Sequence, residues 1–223
     1  MSRACIIGWP VAHSRSPLIH AYWLSKYNIR GSYEKQPVRP GELEAFLQGM
    51  PARGFRGCNV TLPHKEAAFA AAARKHAEAR AVGAANTLWY EDGELVCDNS
   101  DGAGFMSHLA AAVPAFDARA CGVAAILGAG GAARAIVHAL LSAGVDEVRL
   151  FNRTRPRADA VAAFFGPRVK AYAWREAMDR SRDAGILVNA TTLGMAGAGG
   201  ELALDLAALD ASCVVADLVY VPL

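Results

Sequence analysis

The sequence predicts an α/β protein of two domains, an N-terminal, mostly parallel domain over residues 1–101 and a second over residues 102–223. Three observations carry this reading. Strand and helix patterns alternate from Ala4 to Val60, the grammar of a mostly parallel sheet. Two short apolar segments then flank Asp92 and Gly93, a pair that accepts the positive backbone angles of a hairpin turn. From Cys121 the pattern restarts with an unbroken apolar run that enters a glycine-rich turn.

Taken in order, residues 4–8 read as a short buried strand. Ser16 and Pro17 open a helix reaching about residue 28, with Pro17 where a missing N–H costs little and Ser16 able to cap the turn. Residues 32–38 form a second strand, 41–49 a second helix and 55–60 a third strand. The hairpin segments 87–90 and 94–98 give the first domain an antiparallel edge. A helix over 102–113 and a connector over 114–120 lead into the second domain. There, strands at 122–127, 147–151, 185–190 and 212–220 alternate with helices at 134–143 and 156–165.

Composition bounds the function. With 53% hydrophobic residues, 20% charged residues and a formal net charge of +2, the chain is an ordinary globular protein without a field to gather nucleic acid or membrane. The first residues are too short an apolar run for a signal peptide and no long apolar span follows, so a cytoplasmic protein is expected. Cys5, Cys58, Cys97, Cys121 and Cys213 are scattered and lack metal or redox spacing, which makes them small buried side chains. The six histidines show no ligand spacing and no nucleophile elbow occurs, so neither metal nor serine chemistry is expected.

The strand at 122–127 runs into Gly128, Ala129, Gly130, Gly131, Ala132 and Ala133 and then a helix, the context that gives a dinucleotide fingerprint its meaning. Gly128 permits the turn, Gly130 lets the backbone approach a pyrophosphate, and Ala133 allows close helix packing. The second domain is thus Rossmann-like. After the next strand, where an acidic side chain would receive the ribose of NAD, stand Asn152, Arg153 and Thr154. Amide, guanidinium and hydroxyl suit the extra phosphate of NADP, and Arg155 and Arg157 add charge.

Three polar clusters fall where strands of the first domain end: Ser14, Arg15 and Ser16; residues 59–65, from Asn59 through Thr61 and His64 to Lys65; and Asp98, Asn99, Ser100 and Asp101. Ligands of open α/β sheets bind beyond the carboxyl ends of strands, so hydroxyls, amides and one ammonium there suit a small polyhydroxylated acid. Each residue also has a plain structural reading: Ser16 and Asp101 as helix caps, Asn59 as a turn former, Lys65 and His64 as a solvated helix start.

These clusters, with Ile7, Gly8, Trp9 and Pro10, the run Gly83, Ala84, Ala85, Asn86 and Thr87, the glycine-rich turn, Asn189 to Thr191 with Gly194 and Met195, and Asp217 to Tyr220, resemble the shikimate dehydrogenase family along essentially the whole chain. The resemblance implies that Ser14, Ser16, Thr61, Asn86 and Tyr220 bind shikimate and that Lys65 and Asp101 form the catalytic pair. It implies that Leu218 lines the nicotinamide pocket, beside Gly128, Ala129, Gly130, Gly131, Ala132, Asn152, Arg153 and Thr154 for the rest of the cofactor. A small-molecule substrate and a monomer or homodimer are expected. Ser100 replaces the family's usual threonine, and Thr192 stands where proline or serine is common. The family continues beyond the last strand with a helix carrying a substrate-binding glutamine and helices that pack back on the first domain. This chain would lack them, leaving that strand bare and the first core short.

The implied reaction is reversible reduction of 3-dehydroshikimate, with Lys65 moving the hydroxyl proton. Two rivals remain on the sequence: a quinate/shikimate dehydrogenase, which shares the scaffold but differs in cofactor preference, and a non-catalytic NADP-binding module. Arg153 argues against the first; retention of both Lys65 and Asp101 argues against the second.

Overall fold

Cys5, Ile6 and Ile7 are buried in succession in β1 (Ser2–Gly8), as in a strand covered on both faces. The computed structural model describes residues 2–196, 200, 202 and 204–221, and the chain forms two compact units, Met1–Ser100 and Asp101–Leu223. In the first unit β1 is followed by α1 (Ser16–Lys26), β2 (Gly31–Pro37), α2 (Leu43–Gly49) and β3 (Phe55–Val60). Then come α3 (Lys65–Ala71), β4 (Arg74–Lys75), α4 (Ala77–Val82), β5 (Thr87–Glu91) and β6 (Glu94–Asp98). Their sheet has the order β2-β1-β3-β5-β6-β4, parallel around β1 and antiparallel from β3 through β6.

Several expectations need correction. Ser16 does not cap α1: the cap position is Arg15, and the Ser14 hydroxyl accepts the Ser16 N–H at 3.3 Å. Gly41, at φ +91°, lies before α2, because the Glu42 carboxylate folds back onto the Arg39 N–H at 2.9 Å and the helix starts after it. The hairpin forms as expected, with Asp92 and Gly93 both at positive φ, the mark of a type I′ turn. Its second strand is not the edge, however. The two-residue β4 adds to β6 in parallel and takes that place.

The first core lies on one face of this sheet, where Cys5, Ile7, Cys58, Val60 and Leu88 meet Phe46 and Leu47 of α2 and Ala68 of α3. Cys5 and Cys58 are directly paired across β1 and β3, and all five cysteines are free. Cys121 and Cys213 are only partly buried, which narrows the expectation of uniformly buried thiols. On the other face none of the residues of α1 is buried, and Leu18, Ile19, Tyr22 and Trp23 are exposed.

The second unit opens with α5 (Asp101–Ala112) and continues β7 (Val123–Leu127), α6 (Gly131–Ala143), β8 (Glu147–Asn152), α7 (Arg155–Phe165), β9 (Val169–Ala173), β10 (Ile186–Asn189) and β11 (Val214–Asp217). All its strands are parallel, in the order β11-β10-β7-β8-β9. Helix α6 starts three residues earlier than expected, inside the glycine-rich run, and β9 has no counterpart in the sequence reading. The last strand is four residues long, shorter than the expected 212–220, and leaves Val215 exposed. Among the described residues no helix is long and apolar enough to cross a membrane.

Candidate active site

In each unit the chain reverses its direction of growth across the sheet at one strand, and several of the candidate side chains stand on the loops that flank that reversal. In the first unit the chain steps from β1 outward to β2 and then returns to the other side with β3. The loops after β1 and β3 are fastened together: Thr61 N donates to Ile7 O at 2.9 Å and Trp9 N to Leu62 O at 2.9 Å. Gly8 makes this approach possible, since a Cβ there would stand 2.4 Å from Thr61 Cγ2. This brings Thr61 against the strand that leads to Ser14 and Ser16. Ser14 is buried, and its hydroxyl lies 3.2 Å from that of Ser16 in the first turn of α1, while Arg15 between them is exposed.

Lys65 begins α3, and its carbonyl accepts the N–H of Ala85 at 2.8 Å, which places Asn86 beside it in the chain's next crossing. Asn86 is gripped on several sides. Val60 N donates to its carbonyl at 2.7 Å, and its own N–H reaches Asp98 O at 3.1 Å. Its side chain donates from Nδ2 to Ser100 Oγ at 3.0 Å and accepts the Ser100 backbone N–H on Oδ1 at 3.1 Å. The structure therefore draws Ser14, Ser16, Thr61, Lys65 and Asn86 to the carboxyl end of one sheet. Asp101 is the first residue of α5 and Tyr220 follows β11, so both belong to the second unit.

The reading of His64 as a solvated helix start is wrong. Its side chain is buried, with Nε2 2.7 Å from the carbonyl of Val38 just past β2, so the ring ties the start of α3 to the end of β2. Asn59 is likewise no turn former: it lies within β3, where its amide reaches Thr87 Oγ1 at 3.1 Å and Asn86 O at 3.3 Å. A polar residue between Cys58 and Val60 in an apolar strand was the one sequence signal of that role.

In the second unit the reversal falls at β7, with β8 and β9 on one side and β10 and β11 on the other. Gly128 has φ +105°, and a Cβ there would meet Ala190 O at 2.9 Å, so the turn after β7 presses on the loop after β10 and only glycine fits. Ala129 and Ala133 are buried, and Ala133 packs into the core. A Cβ on Gly130 would meet nothing within 4 Å, and no side-chain hydrogen bond caps the start of α6 at Gly130. That is the cradle a pyrophosphate fits. Gly131 and Ala132 form the first turn of α6.

Beyond β8, the Asn152 amide closes on Thr154 O at 2.8 Å, and Arg153 and Thr154 are exposed. Arg155 is exposed as well and paired with Asp159 at 2.8 Å, and Arg153 directly follows the end of β8. Asn189, buried at the end of β10, donates to Asp217 Oδ1 at 2.9 Å and accepts from the Thr191 hydroxyl at 2.7 Å. Asp217 in turn accepts the Val219 N–H at 2.8 Å, fixing the segment that carries Leu218 and Tyr220. Leu218 is partly buried against the core, whereas Tyr220 is exposed.

A parallel dinucleotide fold preceded by an α/β unit with hydroxyls, amides and an ammonium at its reversal point defines a two-domain, dinucleotide-dependent oxidoreductase. Comparison with known proteins agrees. Residues 6–88 match the model of the shikimate dehydrogenase substrate binding domain, and residues 102–195 that of shikimate / quinate 5-dehydrogenase. The chain belongs to the shikimate dehydrogenase family. It is 49% identical to the shikimate dehydrogenase (NADP(+)) of Brucella abortus (strain S19), covering 99% of this chain and 76% of that protein. The shikimate dehydrogenase (NADP(+)) of Azorhizobium caulinodans is also 49% identical, over 100% of this chain and 79% of its own length. Among solved structures, shikimate 5-dehydrogenase from Thermus thermophilus in complex with NADP(H) and shikimate superposes with a TM-score of 0.84 at 38% identity, covering 100% of this chain and 80% of that one.

Proposed function

We propose that the chain is an NADP-dependent shikimate dehydrogenase that interconverts shikimate and 3-dehydroshikimate in the cytoplasm. The observation that carries this reading is the fastening of the loops after β1 and β3, which gathers Ser14, Ser16, Thr61, Lys65 and Asn86 at one strand reversal. Bound NADP supplies the hydride acceptor for oxidation and, reduced, the donor for the reverse step. Lys65 takes the hydroxyl proton in oxidation and returns it in reduction, and Asp101 serves the same proton step. Ser14, Ser16, Thr61, Asn86 and Tyr220 bind the hydroxyls and carboxylate of the acid. The turn at Gly128 to Ala132 would hold the pyrophosphate, Asn152, Arg153 and Thr154 the ribose phosphate, and Leu218 would line the nicotinamide pocket. The first unit, Met1–Ser100, is then the substrate domain and the second, Asp101–Leu223, the cofactor domain.

Mixing the protein with shikimate and NADP tests the reading: absorbance at 340 nm rises as NADPH forms. Cofactor binding without reduction would leave a non-catalytic module, and faster turnover of quinate with NAD would make it a quinate dehydrogenase.

A further inference from the structure

Tyr33 has no place in the reaction as assigned above, yet it lies between two walls of the substrate half. It stands on β2 opposite Ala4 of β1, while Asn59 of β3 stands opposite Ile6. Paired residues of parallel strands share a face, and so do residues two apart, so Tyr33 and Asn59 project from the same side of the sheet. The small Ala4 lets the phenol cross β1, and its hydroxyl donates to Asn59 Oδ1 at 2.7 Å. On its other side the ring stacks on His20 of α1, with centroids 3.7 Å apart and planes 9° from parallel. His20 Nδ1 lies 2.9 Å from the carbonyl of Ser16.

The donors and acceptors in this chain have only one consistent order. Asn86 O can only accept, so the Asn59 amide must turn its NH2 toward it and toward Thr87 Oγ1, leaving Oδ1 for Tyr33. Thr87, which accepts from Asn59, gives its own proton to Asn86 Oδ1 at 2.9 Å. Burial raises the Tyr33 phenol well above its ordinary range, so it stays a neutral donor throughout the working pH of a protein. We infer that Tyr33 is a positioning residue: through Asn59 and Thr87 it adds a third hold on the Asn86 side chain beside the two from Ser100, and through His20 it braces the turn carrying Ser16.

This inference rests on the proposed reading of Asn86 and Ser16 as substrate ligands. Tyr33→Phe keeps the stacked ring and deletes the donor. We expect it to raise the KM for shikimate about three- to tenfold, the effect of one lost hydrogen bond, with kcat and the KM for NADP within about twofold. Thr87→Val, which cuts the chain further along, gives the same signature, and the double variant adds little to either single change. A readout without substrate separates the two ideas. In the ligand-free protein, Tyr33→Phe moves the side-chain amide resonances of both Asn59 and Asn86 and leaves those of Asn152 and Asn189 in place. An unmoved Asn86 signal overturns the inference whatever the kinetics show. Movement of that signal in a protein that never oxidises shikimate sustains the inference and defeats the functional reading.

Discussion

Gly128 and Lys65 stood out in the sequence for opposite reasons. Gly128 is dictated by backbone geometry, since its positive φ and the carbonyl of Ala190 at its Cβ position exclude every side chain. Gly128→Ala should cost about 1–3 kcal/mol of stability, the usual penalty for forced backbone strain, and raise the KM for NADP more than that for shikimate. Thermal melts with paired KM measurements check this; equal effects on both substrates would mean general damage. Lys65 drew notice only because it closes a motif, and the role proposed for it is chemical rather than structural. Lys65→Ala should lower kcat by about two to four orders of magnitude with a smaller change in KM. A defect in KM alone would reassign Lys65 to binding. His64 was misread because nothing in the sequence marks Val38 O as the partner of its ring.

At the scale of elements, the long strands and helices were readable because their apolar residues recur at a regular period, and the short ones were not. The alanine-rich run after Lys65 looks uniform, yet the chain leaves α3 at Ala72, which is extended with ψ 131°, to make the two-residue β4 and the short α4. Strand β9 was missed because its sequence, Val-Lys-Ala-Tyr-Ala, buries only Val169 fully and is held by its neighbour instead. Part of that hold is electrostatic. Glu147 of β8 accepts from Lys170 of β9 and from Arg149 Nε at 2.7 Å, and Arg149 also reaches Asp183 Oδ1 at 2.6 Å. Lys170 first and Arg149 second hold the Glu147 carboxyl below the usual range. A lowered folded-state value means stabilisation that is complete above the ordinary glutamate range, about 4.3, and is lost as pH falls through the folded value. Glu147→Gln should therefore cost about 1 kcal/mol at pH 7. The gap to the unaltered protein should narrow as pH falls below the ordinary glutamate value of about 4.3 and through the lowered folded value. Melting curves across that range decide it, and a gap independent of pH would assign the loss to packing.

For the molecule as a whole, the bulk composition gave no reason to expect charge-driven partners and said nothing of where each unit would bind. The order of strands did. Both reversal points follow from connectivity that sequence periodicity only sketches, because parallel neighbours such as β7 and β10 lie far apart in the chain. NADP at about 100 times its Kd adds about 2.7 kcal/mol to the unit that binds it. Hydrogen exchange should then slow about a hundredfold at globally opening amides of the second unit, most clearly around residues 128–135, with residues 2–100 unchanged. Equal protection in both units would contradict the assignment of the cofactor to the second. On the proposed reading, the carrier is told apart at the loop after β8 while most ligands of the acid stand on the first sheet, which makes the choice of electron carrier and the choice of acid largely separable traits. Changes in the few residues after β8 could exchange one carrier for another without retuning recognition of the acid, so descendants of such a chain can vary one taste while inheriting the other intact.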